Sequence, residues 1–237
     1  MLLLRRLATS AFRRGANDGG VLAAVRAEIA HELSSSSPSP SLSLSNPRYP
    51  PSHSPPIQRR YLIPPLWFSQ DIPDFTTVSD APRGQEVILR RRDASEEVLV
   101  SALLAPLQFQ GGEEPLPSPR DALMKVFVSK PGVKPVLQFD CRAFEGEGDG
   151  DAAAAADYDV TAVRYHSFAG DAGGDKYEGP EFRVLDPQLQ VALKVHLLAR
   201  GVNSKLASSL LHHLVEKERW QYVNWLKTSE EIFSKDH

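Results

Sequence analysis

An apolar stripe near the C-terminus, running for roughly eight helical turns, restricts what this chain can fold into. Leu206, Leu210 and Leu214 recur at i, i+4 and i+8, with Leu211 and Val215 beside them, and the stripe resumes at Tyr222, Trp225, Leu226, Ile232 and Phe233. A helix with one long apolar face needs another layer to lie on. Asp186-Pro187 opens a preceding helix over about 187–200. The aspartate carboxylate accepts from the first N–H groups, and the proline ring pre-sets φ where a missing N–H costs nothing. Gly201 closes it, because a residue without Cβ takes the left-handed conformation freely. Asn203 then caps the long helix, over about 203–233.

The other end of the chain begins with a basic segment. Residues 1–17 carry Arg5, Arg6, Arg13 and Arg14 among leucines and no acidic side chain, the pattern of a mitochondrial transit peptide. The run Leu2-Leu3-Leu4 is too short for a secretory core or a membrane span. In residues 18–33, Val21 or Leu22, Val25, Ile29 and Leu33 repeat at helical spacing, with Glu28 and Glu32 on the opposite face, so the spacing predicts an N-terminal helix. Residues 34–65 change character: a four-serine run and repeated Pro residues leave no periodic face, which makes this segment a Pro/Ser-rich linker.

Beyond the linker the period changes to two. Short β-prone runs cover 74–78, 85–91, 96–109, 122–130, 135–142 and 158–168, separated by Gly, Pro and acidic clusters. Lys130-Pro131-Gly132-Val133-Lys134-Pro135 is a tight reversal. No helical segment of useful length intervenes, so consecutive strands should pair antiparallel as a meander. Helices at both ends and strands between make the class α+β.

Candidate chemistry is sparse. The lone Cys141 excludes an internal disulfide and a Cys-rich zinc site. No nucleophile elbow, phosphate loop or dinucleotide fingerprint occurs, and His166 reaches Cys141 only if the two strands neighbour each other. The loop Glu145-Gly146-Glu147-Gly148-Asp149-Gly150-Asp151 has the acid spacing of half a calcium loop. Its twelfth position is Ala156, which offers no bidentate carboxylate, so the loop reads as a solvated acidic segment. His196, His212 and Asp186 could be drawn into a metal site, but no HExxH-type spacing supports it. Lys217, Arg219, Trp220, Tyr222 and Trp225 combine cations with rings as an RNA-binding surface does, yet Glu216 and Glu218 interleave with them. The same rings serve equally to anchor a helix. Beyond residue 60 the chain holds 19 basic and 27 acidic side chains, a net charge of −8, which attracts basic partners and disfavours phosphate backbones.

Tyr177-Glu178-Gly179-Pro180, Phe182, Leu185-Asp186, Leu189-Gln190, Arg200-Gly201, Leu206, Leu210, Leu214, Lys217-Glu218, Tyr222 and Trp225-Leu226 together resemble the C-terminal signature of the mitochondrial glycoprotein (p32-like) family. The resemblance covers residues 177–233 and extends more weakly over 71–168. Tyr177, Gly179, Pro180, Phe182, Asp186 and Gly201 are its marker positions. One departure is Ala199, which stands before the Arg-Gly turn where acidic residues are common in the family. The resemblance implies a twisted antiparallel sheet of about seven strands, over about 71–170, flanked by one N-terminal and two C-terminal helices. It further implies an acidic domain over 66–237 that assembles as a ring-like homotrimer. Leu206, Leu210, Leu214, Tyr222 and Trp225 would pack the core and the neighbouring copy. The implied activity is non-enzymatic: a matrix scaffold or chaperone-like adaptor that binds basic mitochondrial proteins and supports mitochondrial gene expression and oxidative phosphorylation. It has no catalytic residue, cofactor or metal and no membrane span. Glu145, Glu147, Asp149, Asp151 and Asp171 would form its anionic face. The alternatives are an RNA-binding module at 217–225 and a metal-dependent enzyme built on the histidines. A Pro/Ser linker behind an import signal suits a plant member.

Overall fold

The computed structural model describes residues 18–34, 72, 74–107, 120–146, 156–166 and 179–234. The proposed transit peptide, most of the linker, Glu147, Asp149, Asp151, Asp171 and Tyr177 lie outside these. Helix α1 spans Asp18–Ser34. Six strands follow: β1 Thr76–Ser79, β2 Val87–Arg92, β3 Glu97–Leu104, β4 Ala122–Ser129, β5 Val136–Glu145 and β6 Ala156–His166. A short 3₁₀ turn at Phe182–Val184 leads into α2, Pro187–Leu198, and α3, Ser204–Ser234.

The sheet is an antiparallel meander in the order β1-β2-β3-β4-β5-β6, each strand pairing with its neighbour in sequence. Against the expected seven or so strands, the described residues form six, with one isolated bridge, Ala162↔Glu181, on the far side of β6. The reversal after β4 turns on Gly132, φ 77°, with the Val133 N–H donating to the Lys130 carbonyl at 3.1 Å. A register shift between Asp140 and Cys141 bends the long β5–β6 ladder.

The chain divides into two compact units. In the unit containing residues 65–219, one sheet face supplies the core: Val87, Leu89, Val98, Val100, Met124, Val126, Phe139 and Cys141 are buried with Leu197, Leu206, Leu210 and Leu214 from the helices. The alternation on β4, buried at Ala122, Met124, Val126 and Val128, is the period-two pattern of a sheet covered on one side. Between α2 and α3 the chain turns at Gly201, φ 82°, and a Cβ there would sit 2.5 Å from Arg91 Nη1 and 3.3 Å from the Phe75 ring. Tyr158 Oη donates to the Val202 carbonyl at 3.0 Å and ties β6 to that turn. Arg200 pairs with Glu96 at 2.7 Å. In the second unit α1 pairs with the end of α3: Arg26 Nε donates to Glu230 at 2.7 Å, and Tyr222 Oη donates to Glu28 at 3.3 Å.

Candidate interaction surface

β5 and β6 remain paired to Glu145↔Ala156, so the acidic segment between them closes a hairpin. Glu145 is exposed at its rim. Asp157 and Asp159 are exposed on β6 and add to it, although neither stood among the expected anionic residues. Their signal is the alternation against Ala156, Tyr158 and Val160, which places the aspartates on the outward side. Asp157 also accepts from Ser204 Oγ at 2.9 Å, and Asp159 lies 3.7 Å from Lys194 Nζ. Ala156, the twelfth position of the calcium-like spacing, is buried at the start of β6.

Helix α2 carries an open apolar face. Asp186 caps it, accepting from Gln188 N at 2.9 Å and Leu189 N at 3.4 Å. Leu197 is buried and Leu193 packs against the core, whereas Val191, Val195 and Leu198, at i, i+4 and i+7, are 62%, 57% and 57% exposed. Val184 and Leu189 are exposed as well. On α3 the distribution is reversed: Leu206, Leu210 and Leu214 are buried in the chain's own core, which leaves them no surface for a neighbouring copy. Tyr222 is half-buried and stacks on Trp225, ring centroids 6.2 Å apart and planes 11° apart, and Trp225 is 62% exposed.

The 217–225 cluster presents no joint basic surface. Lys217 is only 1% exposed. It and His213 lie at i, i+4 and converge on Asp80: His213 Nε2 is 2.8 Å from Oδ2, and Lys217 Nζ donates to Oδ1 at 2.5 Å and to the Glu86 carbonyl at 3.0 Å. Burial pushes the Asp80 carboxyl up, but hydrogen bonds from His213 and Lys217, together with their charges, outweigh this and hold it below its ordinary 3.8. Glu218 is paired with Arg120. A phosphate backbone could engage Lys217 only by breaking a buried ion pair.

Among the described residues, His196, His212 and Asp186 form no metal-ligating group. His196 packs on Phe139, ring centroids 6.1 Å apart, and its Nε2 is buried without a partner among the described residues. Burial, with the charge of Arg200, lowers its pKa. His212 is exposed, His213 holds Asp80, and Asp186 is occupied by the α2 cap. Cys141 is buried, and burial with the charge of Asp159 raises its thiol to about 12. His166 is on the adjacent strand but pairs with Val136, while Cys141 pairs with Val160. Five residues of strand, about 17 Å, separate the two positions. Among the described residues, sequence reasoning passed over one group, Glu28, His31 and Glu32 on α1, whose ligand atoms lie within 4.8 Å of one another.

Comparison with known proteins agrees with this architecture. The family model described as "Mitochondrial glycoprotein" matches residues 74–233. Over 53 residues the chain is 36% identical to "Mitochondrial acidic protein mam33" of Schizosaccharomyces pombe, covering 22% of this chain and 20% of that protein. The chain therefore matches about a fifth of that curated relative's length. A solved structure from Leishmania major, titled as a hypothetical protein of unknown function homologous to human p32, superposes with TM-score 0.57 at 18% identity, covering 91% of this chain and 98% of that one. The Trypanosoma brucei p22 protein superposes with TM-score 0.56 at 17% identity, again covering 91% and 98%. At those identities the two structures establish the shared fold.

Proposed function

The chain belongs to the mitochondrial glycoprotein family, whose model spans residues 74–233, and from that membership we propose that it is an acidic, non-enzymatic scaffold of the mitochondrial matrix that captures basic proteins. The observation that carries this reading is the disposition of charge. The chain beyond residue 60 bears net −8, acids gather at the β5–β6 hairpin, and Lys217, the central cation of the nucleic-acid alternative, is sealed against Asp80. Residues 1–17 serve as the import signal and 34–65 as a spacer.

Capture is electrostatic. Glu145, Glu147, Asp149, Asp151 and Asp171 form the anionic face, with Asp157 and Asp159 beside it, and its attraction fades over a Debye length of about 8 Å at physiological salt. The working form is a homotrimer, which triples the negative field. The exposed row Val191, Val195 and Leu198 supports assembly better than the core leucines of α3, because a neighbouring copy can reach it. Binding of basic partners, ribosomal or RNA-associated, is how such a scaffold supports mitochondrial gene expression and oxidative phosphorylation.

The test is binding of a polybasic protein to the full chain and to the quadruple variant Glu145→Gln, Glu147→Gln, Asp149→Asn, Asp151→Asn, at low and moderate salt. The variant is expected to bind more weakly and with less salt dependence. Unchanged binding at low salt removes the hairpin from the mechanism, and retention of the wild type on RNA rather than on basic protein overturns the scaffold reading.

A further inference from the structure

Resting on the scaffold reading and adding to it a contact of defined chemistry, we infer that the exposed indole of Trp225 seats an arginine side chain of a basic partner. Trp225 is 62% exposed, a large share for a side chain that is mostly buried in folded proteins. Its ring lies nearly parallel to that of Tyr222, 11° apart with centroids at 6.2 Å, and the side away from Tyr222 is open. Tyr222 is in turn held from α1, its Oη donating to Glu28 Oε1 at 3.3 Å. The indole therefore rests on a braced ring, and a ligand laid on it meets a surface already ordered. Ile232, seven residues on and 61% exposed, continues the same side of α3.

What surrounds the ring selects a cation. Thr228 and Ser229, three and four residues on, lean back over the turn that carries Trp225. Thr228 Oγ1 donates to the Asn224 carbonyl and Ser229 Oγ to the Trp225 carbonyl, each at 2.9 Å. With their protons committed to the backbone, both hydroxyls offer a ligand only lone pairs. Among the described residues of this unit the charged side chains, besides His31, are Asp18, Glu28, Glu32, Glu230 and Glu231 against Arg26 and Lys227, and Arg26 is engaged by Glu230. An electron-rich ring face, two acceptors and a negative surround are complementary to a donor cation and repel phosphate. Guanidinium fits this better than ammonium, because it is planar, stacks on aromatic faces, sheds water more readily and carries several N–H donors in its plane. Its aliphatic stem can lie along the apolar side that Ile232 continues. An apolar partner is poorly matched, since one indole and one isoleucine two turns apart, with hydroxyls between them, make no contiguous patch.

The test is titration of the full chain, as wild type, Trp225→Phe and Trp225→Leu, into fluorescently labelled ligands read by anisotropy. The ligands are an arginine-rich peptide, a lysine-rich peptide of equal length and charge, and a single-stranded RNA oligonucleotide. Trp225 is exposed, so both substitutions should leave the fold intact, which an unchanged thermal midpoint verifies. Wild type is expected to bind the arginine peptide about two- to fivefold tighter than the lysine peptide, the size of an exposed cation–π contact. Trp225→Leu should abolish that preference and leave lysine-peptide affinity unchanged, while Trp225→Phe should keep part of it. Equal arginine-peptide affinity in wild type and Trp225→Leu overturns the inference and leaves electrostatic capture standing. RNA binding that Trp225→Leu abolishes also overturns it, by making the ring a base-stacking platform. Failure of the wild type to bind either peptide overturns the scaffold reading itself, and the inference with it.

Discussion

Removing the ammonium of Lys217 leaves Asp80 buried with His213 as its remaining side-chain partner. Breaking a buried pair from one side is far more damaging than replacing both halves. Lys217→Met should therefore lower unfolding free energy by about 3 kcal/mol in urea titration, and adding Asp80→Asn should recover part of that loss. The same cluster sets a pH response. Because the folded Asp80 carboxyl titrates below 3.8, its contribution is present above that value and is lost as pH falls through the folded pKa. The stability difference between wild type and Asp80→Asn should accordingly shrink below about pH 4. Gly201 is constrained differently: a positive φ coincides with a Cβ position already filled by Arg91. Gly201→Ala should cost about 1–2 kcal/mol from the backbone alone, measured as a lowered Tm. The glycine was legible from its place after a helix. Asp80 was not, because it lies 133 residues before His213.

Helix α2 is held by a narrow strip, Leu197 with Leu193, and presents Val191, Val195 and Leu198 outward. Charged substitutions there cost the monomer little, since these side chains are already exposed. The double variant Val191→Asp, Val195→Asp should keep its thermal midpoint within a few degrees, while light scattering shows a homotrimer reduced to monomers. A trimer that survives would move the contact off α2. The resemblance implied that the α3 stripe packs both the core and a neighbouring copy, and the structure shows the core half of that expectation. Periodicity announces that a face is apolar without saying which layer covers it, and here the chain's own sheet takes Leu206, Leu210 and Leu214. The strands were more legible, because period-two runs with no helical pattern between them favour pairing with the neighbour in sequence. All six expected runs overlap observed strands.

Net charge is a property of the entire chain, and its consequence is kinetic and salt-dependent. Capture of a basic partner should fall steeply as ionic strength rises from about 50 to 200 mM, where the Debye length contracts to about 7 Å. A neutral, apolar client should show no such slope. The measurement is association rate against salt for the full chain, and a flat profile with basic partners would remove electrostatic capture. Composition made the sign of this charge legible without coordinates, whereas placing individual carboxylates needed the pairing of β5 with β6. That pairing adds Asp157 and Asp159 to the rim where Glu145 lies.

Local and periodic information therefore settled the parts of this protein that depend on neighbours in the chain. These are the Asp186 cap, the Gly201 turn, the period-two strands, the helical stripe and the acidic balance, each governed by forces acting over one or two turns or by simple counting. Tertiary structure decided every question of partnership: Lys217 with Asp80, Arg200 with Glu96, Tyr222 with Glu28, and which apolar face stayed uncovered. The reason is physical. A side chain's propensity is expressed through its own backbone, but its burial and charge compensation depend on whatever distant segment the fold brings against it.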